Sequence, residues 1–136
     1  MLSPTWDTIR LSLHVIAAAV WVGGQFTLAG LVPTLRAENA ELPKKIARRF
    51  NRLAWPAYGV LVLTGIWNLM KHDMASQTNA YNLTVFLKLA IVAVAGIAAF
   101  VHSNTRSKAV LAIGGALSGL ASIAAVFVGI LLTSGH

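Results

Sequence analysis

Long apolar stretches alternate with short polar ones along this chain. The first apolar stretch runs from about Ile9 to Leu35 and the second from about Leu53 to Met70; the third covers Leu83 to Ser103 and the fourth Ala109 to Thr133. Each is near the ~20 helical residues that cross ~30 Å of hydrocarbon. A backbone in that solvent must satisfy its own hydrogen bonds, so the stretches are predicted to be helices rather than open strands. The expectation is an all-α integral membrane four-helix bundle, a single domain over residues 1–136 with up-down topology. Residues 41–52 predict an interfacial helix entering the second span, with Pro43 near its first turn. Pro33 is expected to bend or end the first helix, and Pro56 to sit near the start of the second.

Composition agrees with lipid as the solvent. The chain is 57% hydrophobic and 11% charged, against about 25% charged in soluble domains. That apolar content excludes disorder. With no cysteine, a disulfide scaffold and a thiolate metal site are excluded as well. The net charge of +7 changes the picture only through its distribution. Arg36, Lys44, Lys45, Arg48, Arg49 and Arg52 lie together between the first two apolar stretches, as in a cytoplasmic loop facing anionic headgroups. A bilayer, and no nucleic acid, is the expected partner. Arg106 and Lys108 fall in the third loop, whereas Arg10 and Lys71 fall on the opposite side. The positive-inside rule then places both termini outside. Trp6, Trp67 and Tyr81 would mark the outer interface and Trp55 the inner one.

Polar groups at membrane depth are costly unless paired, which makes them the informative residues. His14 in the first span, Lys88 in the third and Asn68 in the second all fall roughly ~8 Å below the outer surface by helical rise. The spacing of His14, Ala18, Trp21 and Gln25 puts them on one helical face. An inward neutral imidazole binds a metal or haem iron, or it hydrogen-bonds a neighbouring backbone. An inward Lys88 would bind an anionic group or donate its amine to iron; alternatively it snorkels to the headgroups. His102 lies on nearly the same side of the third helix as Lys88, ~21 Å away; the two are either two small sites or the ends of one transmembrane path with Gln25 between them, or else His102 is a polar residue of the last turn. Met70, His72 and Met74 alternate in the outer loop, where thioethers and imidazole suit copper. Gly115 and Gly119 form a GxxxG, with Ser118 and Ser122 a second small pair, for close packing within the bundle or between subunits. The chain carries no glycine-rich phosphate loop, no HExxH and no carboxylate pair at membrane depth. An enzyme reading would therefore require a cofactor to carry the reaction.

The run Leu13-His-Val-Ile-Ala-Ala-Ala-Val-Trp-Val-Gly-Gly24, then Ala47-Arg-Arg-Phe-Asn-Arg-Leu-Ala54, Val62-Leu-Thr-Gly-Ile66 with Asn68, and Phe86-Leu-Lys-Leu-Ala90 resemble, in order, the CopD-like (copper resistance protein D) membrane family. That resemblance implies a bacterial inner-membrane protein that binds, takes up or confers tolerance to copper. A homo-oligomer and a periplasmic copper donor would be its partners. His14 would lead the copper ligands, helped by His72, Met70 or Met74, with His102 a further metal candidate. The chain is similar, more distantly, to HemJ-like protoporphyrinogen oxidases, four-helix proteins that bind haem b. This similarity implies His14 and Lys88 at a haem; Trp21 and Gln25 by their helical face, and Asn68 by its depth, are the further cofactor-binding candidates. It departs after the first helix, where Leu31-Val-Pro-Thr-Leu-Arg36 replaces a Pro-Arg-aromatic ending. A third alternative is a structural subunit whose histidine and lysine only join helices.

Single cysteines in this cysteine-free chain test the orientation. Lys45→Cys is expected to react with an impermeant maleimide only after spheroplast lysis, and Gln77→Cys in intact spheroplasts. The reverse pattern would invert the topology.

Overall fold

The computed structural model describes residues 1–135; His136 lies outside them. Its long elements are helices: α1 (Trp6–Ala18), a π-helical turn (Ala19–Gly23), α2 (Gly24–Glu38), α3 (Leu42–Lys71), α4 (Asn79–Asn104) and α5 (Lys108–Ser134), with a short 3₁₀ turn at Met74–Ser76. The chain divides into two compact units, Met1–His72 and Asp73–His136.

In the first unit α1 starts on a capping box. The Thr8 amide donates to the Thr5 hydroxyl at 3.3 Å, and the Thr5 amide donates to Thr8 Oγ1 at 3.1 Å. The helical path then continues through the π turn to Glu38, so Pro33 lies inside α2 and does not end it. The stop falls at Asn39, whose backbone is extended. Helix α3 is one unbroken element of 30 residues. The segment expected at the interface and the second span are therefore continuous, with Pro43 in the first turn. Pro56 lies well inside α3 rather than near its start. Each internal proline removes one backbone donor, a loss the flanking turns accommodate.

The pairing of side chains gives the direction of packing. Asp7 meets Lys71, His14 meets Thr64, Trp21 meets Tyr58, and Gly24 meets Phe50. As one number rises the other falls, so α1–α2 and α3 are antiparallel. The π turn accommodates one extra residue and rotates α2 relative to the path of a regular helix. Arg10, Ala17 and Trp21 are buried and His14 is half-buried on the resulting face.

In the second unit Thr78 caps α4 and Ser107 caps α5 through their side-chain oxygens. The two helices pack closely because small residues line their seam. Ser118 Oγ donates to the Ala95 carbonyl at 3.1 Å, while a Cβ placed on Gly114 would stand 3.2 Å from both the Ala98 oxygen and His102 Cβ. Gly114, Ser118, Ala121 and Ser122 are buried, whereas Gly115 and Gly119 are half-buried. The seam thus centres one residue earlier than the Gly115/Gly119 pair, and it includes the Ser118/Ser122 pair.

Burial runs opposite to a soluble fold. The buried side chains are chiefly alanines, with Arg10, Thr64, Ser118 and Ser122 among them, while Leu63, Leu120 and Phe127 are each about two-thirds exposed. All four long helical stretches, Trp6–Glu38, Leu42–Lys71, Asn79–Asn104 and Lys108–Ser134, are long and apolar enough to cross a membrane. Large apolar groups outside and small or polar groups at the helix contacts are what hydrocarbon solvent favours.

Gly114→Val is expected to destabilise the α4–α5 pair by about 1–3 kcal/mol through overpacking, read as a lower unfolding midpoint in mild detergent. Gly30→Ala, where a Cβ meets nothing within 4 Å, should leave the midpoint unchanged or slightly raised. Equal behaviour of the two variants would contradict this packing.

Candidate functional site

The most informative side-chain geometry in the first unit is a three-member hydrogen-bond chain. His14 Nδ1 lies 2.7 Å from Thr64 Oγ1, and that hydroxyl donates to the Val60 carbonyl at 2.6 Å, with the Leu61 carbonyl at 3.2 Å. A hydroxyl has one proton, and a carbonyl can only accept. The Thr64 proton is committed to Val60, so His14 must donate its Nδ1–H to Thr64. This fixes the tautomer: the lone pair of the neutral ring sits on Nε2, the arrangement seen when a second partner orients a ligating histidine. Gly65 leaves room beside the ring, since a Cβ there would stand 4.0 Å from His14 Cε1.

Farther along the same helix pair, Trp21 is buried in an aromatic cluster. Its ring centroid lies 4.7 Å from that of Tyr58 and 5.6 Å from that of Trp55, which in turn packs edge-on against Tyr58. Trp55, expected in the inner aromatic belt, is half-buried and packs on Trp21 across the helix pair. Gln25 is half-buried on α2, beyond the π turn that separates it from His14. The regular spacing assumed for His14, Ala18, Trp21 and Gln25 does not run through that turn.

The remaining candidates stand in other surroundings. His72 is exposed at the end of α3 and donates Nδ1–H to the backbone oxygen of Asn68 at 2.8 Å. Asn68 is itself half-buried, and Met70 is exposed. His72 lies eight positions beyond Thr64, about 12 Å of helical rise, so it is not brought to the His14 ring. Met74 belongs to the second unit. So does Lys88, which is half-buried and reaches onto α5: a Cβ on Gly129 would stand 2.9 Å from its Nζ. His102 donates Nδ1–H to the Leu111 carbonyl at 2.6 Å and rests against Gly114 and Gly115. It ties α4 to α5. Among the described residues, no three of His, Cys, Asp and Glu gather as a metal-binding group.

Sequence reasoning missed Thr64, Tyr58 and the burial of Arg10. A signal for Thr64 existed: counting back from a turn near residue 40, an antiparallel helix puts residues 64 to 66 opposite His14. Compared with family models, with curated proteins and with solved structures, the chain finds no match.

A double-mutant cycle of His14→Ala and Thr64→Val should return a favourable coupling of about 0.6 kcal/mol, the average for interhelical hydrogen bonds in a membrane protein, and no more than about 1.7 kcal/mol. The readout is the unfolding free energy in micelles. Strict additivity would contradict the bond.

Proposed function

We propose that this chain is a haem b-binding membrane redox protein in which His14 would hold the haem through Nε2. The observation that carries the reading is the His14–Thr64–Val60 chain, which leaves the ring's lone pair on Nε2. A haem brings four nitrogen ligands of its own, so the protein would need to add only one or two donors. A single oriented imidazole suffices for that role. A copper ion, by contrast, draws most of its ligands from the protein. The haem, when bound, supplies one-electron chemistry. The chain's own contribution would be to hold the ring plane and tautomer through Thr64. Hydrogen bonding at Nδ1 also raises the basicity of a ligating imidazole.

The CopD-like copper reading is kept for one observation. Met70 and His72 lie at the same end of α3, with the His72 Nδ1–H donated to Asn68, so its Nε2 carries the lone pair. Thioether and imidazole together suit Cu(I). In that reading a periplasmic donor would deliver the ion to this end of the chain, with the protein in a bacterial inner membrane.

Protein purified from haem-sufficient cells is expected to show a Soret band, at one haem per chain or per oligomer. The band should vanish in His14→Ala and persist in His102→Ala. A Soret band unchanged in His14→Ala would overturn the haem reading. So would its absence from wild type accompanied by bound copper that Met70→Leu or His72→Ala removes, a result that would establish the second reading instead.

A further inference from the structure

Arg10 is used neither by the proposed haem ligand nor by the helix seams. It sits one turn before His14 on α1 with its side chain only 7% exposed, while Asp7, its ion-pair neighbour, is 57% exposed. The Asp7–Arg10 contact is long, 3.4 Å from Oδ1 to Nη1, and it falls short of a hydrogen bond: neither Nε nor Nη1 of Arg10 has a hydrogen-bond partner among the described residues. The same Asp7 oxygen is shared with Lys71 Nζ at 3.9 Å. Two cations therefore face one solvated carboxylate at this end of the first unit, and the better buried cation has the unspent donors.

Burying a guanidinium is costly unless it is paired and hydrogen-bonded. Its planar array of donors fits the oxygens of a carboxylate or phosphate better than any other common partner. We infer that Arg10, with Lys71 at its rim, forms a seat for an oxyanion at the Asp7–Lys71 end of the α1–α3 pair. Two sources offer that chemistry: the phosphate of a lipid headgroup and a free or ligand-borne anion that reaches the seat from water. The inference stands apart from the haem reading, since it requires no occupant at His14.

The test uses full-length protein from haem-deficient cells in a non-ionic detergent, followed by thermal unfolding. Three probes are added separately: a short-chain phosphatidylglycerol, inorganic phosphate and acetate. At about a hundredfold excess over Kd, a bound anion should raise the wild-type midpoint by about 5 °C or more. A rise with the lipid alone identifies a headgroup as the source, and a rise with phosphate or acetate identifies a free anion. Arg10→Gln should abolish the rise, while Arg10→Lys retains part of it and shows that the fold tolerates substitution here. No response of wild type to any probe, or an undiminished response in Arg10→Gln, would overturn the seat. A failed Soret experiment leaves this outcome untouched, and a His14-dependent Soret band does not rescue it.

Discussion

Hydrocarbon gives a helix nothing for burying a leucine against another leucine, because lipid tails are as apolar as the side chain they would replace. Helices in that solvent must instead hold together by close backbone approach and by hydrogen bonds that have no water to compete with. The two units of this chain use both means. The α4–α5 pair relies on the absence of side-chain bulk at Gly114 and Ser118, which lets a serine hydroxyl reach the Ala95 carbonyl. The α1–α3 pair relies more on polar and aromatic contacts: His14 to Thr64, and Trp21 among Trp55 and Tyr58. Edge-to-face and tilted ring pairs of this kind add about 0.5–1.5 kcal/mol beyond the area they cover.

The same constraint sets the chemistry of the histidines. In this protein His14, His72 and His102 all spend Nδ1–H on an oxygen of their own unit. They differ in the kind of partner. His72 bonds the carbonyl one turn back, and His102 bonds a carbonyl across the α4–α5 seam; both contacts finish or fasten helices. His14 bonds a hydroxyl whose proton already belongs to its own helix, in a half-buried position well inside the span.

Much of the fold was legible because apolar length and small-residue spacing act over a few residues at a time. The four long apolar helices and the small-residue seam of the last one follow from such short-range rules. The continuity of α3 was not legible, since the basic, interfacial character of residues 42–52 says which solvent they meet and not whether the backbone breaks. Pro56 was misplaced for the same reason: a proline is tolerated inside a long helix whose neighbours are already held by packing. The π turn at Ala19–Gly23 leaves no compositional mark, so the face through Trp21 and Gln25 could not be read from regular periodicity. For the site, His14 was legible as an ionisable group in an apolar run. Thr64 was not singled out, although it lay in a stretch already noted, because a threonine in a membrane helix usually satisfies itself by bonding its own preceding turn. Here it does that and accepts from His14 as well. Lys88 was legible as an unusual cation, but its seat on Gly129 depends on helix register that no local rule supplies.

The direct measurement is the protonation pattern of the His14 ring in haem-free protein labelled with ¹⁵N-histidine and reconstituted in bilayers, with its signals assigned by their loss in His14→Ala. Nδ1 should carry the proton and Nε2 the lone pair, and that preference should weaken in Thr64→Val. A ring protonated on Nε2 would contradict the hydrogen-bond chain and, with it, the ligand role proposed for His14.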